Sequence, residues 1–187
     1  MQRPPERPRP LRLPPLTGSR TPTAAGAGRR RSLVEAFVDL RRRTAVRGSP
    51  AWRERFERSL AQLLAALEGE RRSRCRGDLP GVERYLELRR VTGYTPLLYL
   101  LTEELLGCEA PAGVRSAEPF RQARTASVDA IDLINELYSL PKELARGESH
   151  NFVVLYAREH PCGLDRAVPE AGRRVREAVD RFRARWG

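Results

Sequence analysis

The sequence predicts an all-α fold, and three observations lead to that prediction. Apolar residues recur at intervals of three and four through most of the chain after residue 31. Prolines stand where helices are expected to begin, at Ser49-Pro50 and Pro119, and Gly107 stands where one is expected to end. No segment alternates apolar and polar residues as a half-buried strand does, and the apolar run at residues 152–155 is too short to indicate one.

Apolar periodicity predicts the helices in chain order. The first carries Leu33, Phe37 and Leu40. The second begins at Ser49-Pro50, and its apolar face comprises Trp52, Phe56, Leu60, Leu63, Leu64 and Leu67. The third covers residues 81–106 with a break near Gly93, because Gly93, Thr95 and Pro96 are poor helix-interior residues.

Residues 108–117 are predicted to form a loop, since they include Pro111 and Gly113. The helix that begins at Pro119 has apolar positions at Val128, Ile131 and Ile134. Residues 150–156 either continue it or form a separate helix after Gly147. The last helix begins near Leu164 and carries Ala167, Val168, Val175, Val179 and Phe182.

The composition divides the chain into two predicted regions. Residues 1–31 hold eight arginines against one acid, Glu6, and few large apolar residues, so we expect a disordered Pro/Arg-rich segment there and a helical domain over residues 32–187. That segment contributes +7 of the net charge of +11 and leaves +4 for the rest. Lys142 is the sole lysine, which indicates a general preference for arginine rather than a nucleic-acid surface. We expect no specific nucleic-acid partner.

Cysteine usage and hydropathy predict a cytoplasmic protein without a membrane partner. Cys75, Cys108 and Cys162 form no CxxC pair and leave an odd number, so no disulfide framework is expected. Pro and Arg interrupt every apolar stretch through residue 31, so we expect no secretory signal there. The most apolar window, residues 96–106, is too short to cross a bilayer.

The residues with the most evident chemistry are Asn135, Ser139 and Glu143. Their spacing of four places an amide oxygen, a hydroxyl and a carboxylate along one helical face, with neighbours roughly 6 Å apart. Three oxygen donors of which one is charged suit Mg²⁺, which takes its other ligands from water and a phosphate group. Lys142 lies beside this stripe, within reach of such a phosphate.

This pattern resembles the second metal-binding motif of bacterial class I terpene synthases. The resemblance includes the residues around the trio, from Asp132-Leu-Ile to the later Gly147-x-x-His150-Asn151. Glu136 stands where that family usually has Asp, a position that is not one of the three ligands. The resemblance implies an all-α terpenoid synthase bundle and a Mg²⁺-dependent lyase that ionises and cyclises a prenyl diphosphate, farnesyl diphosphate being the expected substrate.

A second segment, residues 80–93, resembles the part of the family that senses the diphosphate. In the family the sensing arginine lies about 46 positions before the asparagine of the metal motif. Counted back from Asn135, that position is Arg89. The resemblance further implies that Thr92 is the linker and Gly93 the effector, whose backbone carbonyl helps to expel diphosphate. Arginine suits this task because its planar guanidinium donates two parallel hydrogen bonds.

Other family features have no counterpart in this sequence. There is no Asp-Asp pair for the aspartate-rich motif that binds the other metal ions, and Asp129 and Asp132 lie in the wrong region to replace it. We expect these two aspartates to be surface or local hydrogen-bonding groups. The family's late Arg-Tyr pair is expected beyond residue 187. The resemblance covers residues 33–185, the middle and later helices of a longer domain, so the alternative is a truncated, catalytically weak fragment or one part of a split enzyme.

Several narrower expectations complete the sequence-based interpretation. Tyr94, Leu97, Leu98 and Tyr138 are candidates for the pocket wall, and each is also a plausible core residue. Pro141 removes one hydrogen bond within the metal-bearing helix and is expected to bend it or to be tolerated there. An arginine-rich nucleic-acid binder is a third hypothesis, weakened by the lack of interleaved aromatics. The sequence sets neither the product nor the oligomeric state.

Overall fold

The computed structural model describes residues 35–39, 42–43 and 48–186, and within those ranges it contains helices and turns but no strand. The all-α prediction is therefore confirmed. The predicted disordered segment, residues 1–31, lies outside the described residues, as do Leu33 and Leu40 of the first predicted helix. A helical stretch at residues 35–39 precedes the main bundle.

Seven helices follow between residues 50 and 186. They are α1 (Pro50–Arg76), α2 (Val82–Thr92), α3 (Thr95–Leu106), α4 (Ala112–Ser116), α5 (Glu118–Ala145), α6 (Phe152–Glu159) and α7 (Leu164–Trp186).

The termini of these helices carry the expected residues. Ser49 caps α1, because its hydroxyl accepts a hydrogen bond from the Trp52 amide at 3.1 Å, and Pro50 occupies the first turn, where its missing N–H costs nothing. Pro119 plays the same part in α5. Gly107 ends α3 with φ of 61°, a left-handed conformation that glycine adopts without steric cost.

The structure corrects one sequence-based boundary and decides a second that the sequence left open. Residues 108–117 were expected to form a loop, but Ala112–Ser116 is a short helix, α4. Its first residue follows Pro111, which can precede a helical turn without losing a hydrogen bond. The run from residue 150 is a separate helix, α6, because Asn151 caps its first turn. Helix α5 continues through Pro141 as one element.

Two apolar clusters form the core. The larger joins α2, α5, α6 and α7 around Phe152 and Val153, both fully buried. The smaller joins α1 to α3: Trp52 stacks on Phe56 with ring centroids 5.0 Å apart and donates its indole N–H to the Leu100 carbonyl at 2.9 Å. That hydrogen bond satisfies the one polar atom of a fully buried tryptophan.

Some apolar residues that periodicity assigned to buried faces are exposed instead: Leu64, Ile131, Ile134 and Val168. On α5 the buried positions include Val128, Leu133 and Leu140, together with two carboxylates. Part of the buried face of α5 is therefore polar, and some of its apolar residues lie outside that face.

Helices α5 and α7 form the most extensive contact in the described part of the chain. Both bury alanines, including Ala126 and Ala130 on α5 and Ala171 and Ala178 on α7, and small side chains allow helices to approach closely. Asp129 of α5 pairs with an arginine from α2 and another from α7. It was expected to be a surface or local hydrogen-bonding group, but it links three helices.

Two further properties bear on the sequence-based predictions. Among the described helices, none is both long and apolar enough to cross a bilayer. Cys75, Cys108 and Cys162 are all free thiols.

Candidate metal and diphosphate site

Arg89 and Asn135 meet between α2 and α5. The Arg89 guanidinium donates from Nη2 to Asn135 Oδ1 at 2.7 Å, and from Nε to Glu136 Oε1 at 2.6 Å. The arginine and the first residue of the predicted metal trio therefore lie in contact although 46 positions separate them. Arg89 keeps about a fifth of its side chain exposed, and Asn135 is exposed.

Glu136 organises this contact. Its carboxylate is buried, and Oε2 accepts hydrogen bonds from the Tyr85 hydroxyl and the Phe152 amide, both at 2.7 Å. With Arg89 on Oε1, three donors from two helices, α2 and α6, converge on one carboxylate. A buried charge needs such partners, because desolvation otherwise makes it costly.

The electrostatics of this cluster favour a fixed guanidinium. Burial alone would lower the pKa of Arg89, but the adjacent Glu136 carboxylate outweighs it, so the pKa is raised. Burial and the same carboxylate raise the pKa of Tyr85, which keeps its hydroxyl proton and remains a donor. Arg89 thus stays charged and Tyr85 stays neutral.

Asn151 links the later part of the metal stripe to α6. Its Nδ2 donates to Glu143 Oε2 at 2.8 Å and to the Glu136 carbonyl at 2.9 Å, while its Oδ1 accepts from the Val153 amide and caps α6. The residue is fully buried, so these bonds hold it in one orientation. Asn151 therefore orients the Glu143 carboxylate through this hydrogen bond.

Ser139 and Lys142 complete the predicted site residues. Ser139 is half-buried, and its hydroxyl lies 3.5 Å from the Glu136 carbonyl, a weak contact that leaves the oxygen available. Lys142 is exposed on α5. Seven helical positions bring Lys142 back to within about 20° of Asn135 around the helix axis, so the two share a face.

The helix break falls where the sequence predicted it, but for a different reason. Gly93 ends α2 with φ of −71°, a conformation open to any residue. The left-handed residue is Tyr94, with φ of 65°, the one described non-glycine residue with positive φ. Glycine at position 93 is required for space: a Cβ there would lie 2.3 Å from Asp132 Oδ1. Thr92, the predicted linker, is buried at the end of α2.

Asp132 is the buried carboxyl beneath this break. Its Oδ1 accepts a hydrogen bond from the Thr95 hydroxyl at 3.0 Å, whereas its buried Oδ2 has no hydrogen-bond partner in the described structure. Burial raises the pKa of Asp132 to about 6. The carboxyl therefore ties α5 to the start of α3 beside Gly93. The sequence predicted a surface or local hydrogen-bonding group, whereas Asp132 is buried and accepts its hydrogen bond from another helix.

The candidates for the pocket wall separate into two groups. Leu97 packs against the core cluster of α1 and α3. Tyr94, Leu98 and Tyr138 are exposed, Tyr138 by 84% of its surface.

Sequence reasoning missed three residues that organise the site. It regarded Glu136 as a mild departure from the family motif, quoted Asn151 as part of a string, and gave Tyr85 no role. A signal existed for Glu136. It directly follows Asn135, the first member of the trio, and a carboxylate that becomes buried needs a cation, which the arginine-bearing helix α2 can supply.

The donor set fits a divalent cation of the Mg²⁺ class. Asn135, Ser139 and Glu143 offer oxygen atoms, which Mg²⁺ prefers, and all three are at least partly open to solvent. The described residues contain no group of three or more His, Cys, Asp or Glu side chains suited to a metal. Because the trio supplies three oxygen donors, an octahedral ion bound here takes its other ligands from water and from the oxygens of a bound molecule.

Comparison with known proteins agrees with this geometry. A family model described as "Terpene synthase family 2, C-terminal metal binding" matches residues 15–181. Epi-isozizaene synthase of Streptomyces coelicolor is 38% identical over 153 residues, which cover 82% of this chain and 42% of that protein. The (+)-T-muurolol synthase ((2E,6E)-farnesyl diphosphate cyclizing) of Roseiflexus castenholzii is 32% identical, over 75% of this chain and 43% of that protein.

A solved structure matches the fold as well. Linalool/nerolidol synthase from Streptomyces clavuligerus superposes with a TM-score of 0.75 at 25% identity, over 80% of this chain and 52% of that chain. The present chain thus spans about half the length of the proteins it matches. With nearly its whole length matched by the family model and its arginine in contact with the predicted metal trio, this chain belongs to the terpene synthase family.

Proposed function

We propose that this chain carries one metal site and the diphosphate-sensing arginine of a Mg²⁺-dependent terpene cyclase that acts on farnesyl diphosphate. The observation that carries the proposal is the contact of the Arg89 guanidinium with Asn135 Oδ1 at 2.7 Å. This contact supports the proposal because it joins the proposed diphosphate-binding group to a proposed metal ligand between α2 and α5. Arginine and oxygen ligands together are the groups that recognise a metal–diphosphate complex.

Each site residue has a distinct part in the proposal. Asn135, Ser139 and Glu143 hold Mg²⁺, and Asn151 orients the Glu143 carboxylate through its hydrogen bond. When bound, Mg²⁺ neutralises negative charge that develops on the departing diphosphate. Arg89 and Lys142 bind diphosphate oxygens, and Gly93 acts as the effector at the break between α2 and α3.

The substrate class rests on chemistry and on the relatives. The site provides cations for a diphosphate, and the exposed side chains of Tyr94 and Leu98 suit an apolar prenyl chain. The muurolol synthase relative carries farnesyl diphosphate cyclisation in its name. The linalool/nerolidol synthase has a solved complex with 2-fluorogeranyl diphosphate. Prenyl diphosphates are therefore the substrates to test first.

Two measurements test the proposal. The purified chain is incubated with farnesyl diphosphate and Mg²⁺, and volatile products are analysed by gas chromatography with mass spectrometry. In parallel, calorimetric titration measures diphosphate binding with Mg²⁺ and with chelator. We expect Mg²⁺-dependent binding that Glu143→Ala abolishes. Glu118→Ala, which removes an exposed carboxylate from the first turn of the same helix, is the control and should bind as the wild type does. Unchanged affinity in Glu143→Ala would refute the site assignment.

A second candidate function is metal-dependent diphosphate binding without efficient turnover. Exposure of Tyr138 and Leu98 favours it, because a cyclase must shield the carbocation from water, and these pocket-wall candidates face solvent. Binding in the calorimeter without cyclic hydrocarbon or alcohol among the volatiles would support this alternative. Cyclic products at a rate above the metal-free control would exclude it.

A further inference from the structure

Asn135 Oδ1 has two uses that conflict. In the structure it accepts a hydrogen bond from Arg89 Nη2 at 2.7 Å, and under the proposed function the same atom is a metal ligand. Mg²⁺ lies about 2.1 Å from its oxygen ligands, so a dication and a guanidinium would face each other across one neutral amide oxygen. Like charges that close repel each other even where solvent screens part of the interaction.

We infer that Arg89 and a divalent cation compete for Asn135, so that Arg89 occupies the ligand oxygen in the metal-free protein and metal loading releases it. This inference rests on the proposed function, because it uses the same metal site. It adds a regulatory step, because the Arg89 guanidinium occupies the Asn135 oxygen until a metal ion displaces it.

The hydrogen bonds around Glu136 explain why Arg89 stays on Asn135 rather than sampling solvent. Glu136 is itself held by Tyr85 and the Phe152 amide, and it fixes Arg89 through Nε at 2.6 Å. With Nε anchored, the guanidinium plane directs Nη2 at the adjacent residue of α5, Asn135. Glu136 is therefore a positioning residue that acts through Arg89.

The competition links metal binding to diphosphate binding. When Asn135 serves the metal, Arg89 loses its Nη2 acceptor but keeps the anchor on Glu136. The freed Nη2 group then lacks its Asn135 acceptor, and a diphosphate oxygen supplies a new one. Metal and diphosphate thus favour each other through Arg89, and the coupling is reciprocal.

The test removes Arg89 without leaving a buried charge. The double variant Arg89→Met/Glu136→Gln deletes both members of the ion pair, so the net charge near the site is unchanged. The amide oxygen that glutamine provides at position 136 can still accept from Tyr85 and from the Phe152 amide, which preserves the fold. Circular dichroism and a urea titration verify that preservation.

The matched control is Arg90→Met/Asp129→Asn. It removes the neighbouring ion pair between the same two helices, whose Nε–Oδ1 distance is also 2.6 Å, together with the contact of Asp129 with the exposed Arg181 of α7. It does not touch Asn135. Mn²⁺ affinity is measured by calorimetry and by electron paramagnetic resonance without diphosphate, because Mn²⁺ accepts the same oxygen ligands as Mg²⁺. Neither readout depends on catalytic turnover.

We expect the Arg89→Met/Glu136→Gln variant to bind Mn²⁺ about tenfold more tightly than the wild type. The control variant should stay within about twofold. Equal affinities in the folded Arg89→Met/Glu136→Gln variant and the wild type would overturn the inference.

Glu143→Ala separates this failure from failure of the proposed function. If Glu143→Ala abolishes Mn²⁺ binding while Arg89→Met/Glu136→Gln leaves it unchanged, the metal site stands and only the competition is refuted. If neither the wild type nor the Arg89→Met/Glu136→Gln variant binds Mn²⁺, both proposals fall.

Discussion

Replacing Gly93 with alanine probes the helix break directly. The backbone at Gly93 has φ of −71° and ψ of −4°, so alanine meets no torsional strain there. The new Cβ would lie 2.3 Å from Asp132 Oδ1 and 2.7 Å from its Cγ, far inside van der Waals contact. Asp132 is buried and bonded to Thr95, so it cannot move aside without breaking that hydrogen bond. We expect Gly93→Ala to lower the free energy of unfolding by about 1–3 kcal/mol.

The assay is urea unfolding followed by circular dichroism. Gly172→Ala in α7 is the control, because its Cβ would find its nearest neighbour at an ordinary 3.6 Å and should stabilise the helix by about 0.5–1 kcal/mol. A double-mutant cycle adds Asp132→Ala, which opens the space. The reasoning is refuted if Gly93→Ala is as stable as the wild type, or if it costs the same in the Asp132→Ala background.

Three further predictions concern buried residues. Burial raises the pKa of Asp132 from 3.8 to about 6, so the folded state binds this proton more tightly than the unfolded state. The free energy of unfolding should therefore fall, by about 3 kcal/mol, as pH rises through this interval. Urea titrations at several pH values should show that Asp132→Asn removes this slope, and an unchanged slope would contradict the assignment. Glu136→Ala leaves Arg89 without its buried partner and should cost about 3–5 kcal/mol in urea unfolding, whereas the exposed Glu118→Ala should have little effect. Trp52→Ala deletes a fully buried, hydrogen-bonded ring and should cost about 3–5 kcal/mol, against under about 0.5 kcal/mol for a Leu64→Ala control on the exposed face of the same helix; similar losses in the two variants would count against the packing described for α1.

The helix break illustrates how a correct prediction can rest on an incomplete reason. Low helix propensity at Gly93, Thr95 and Pro96 located the break within one residue. Propensity did not indicate that Tyr94 would take the left-handed conformation, because that depends on where α3 must begin to reach its packing partners. Nor could it reveal that Gly93 is small because Asp132, 39 positions later, occupies the space beside it.

The metal stripe shows the same division. Local helical geometry placed Asn135, Ser139 and Glu143 on one face, and family spacing selected Arg89. The buried groups that hold them, Glu136 and Asn151, were not assigned. Glu136 on α5 pairs with Arg89 of α2, and Asn151 at the start of α6 bonds to Glu143 of α5, so their role becomes visible only when those helices pack together.

By itself, the sequence determined the helical class, most helix ends and the helical face shared by the three proposed metal ligands, because those properties depend on residues within a few positions of one another. Tertiary packing alone decided which apolar residues are buried, why position 93 must be glycine, and that Glu136 anchors Arg89 against Asn135. Burial, desolvation and charge pairing depend on neighbours brought from distant parts of the chain, and no local pattern encodes them.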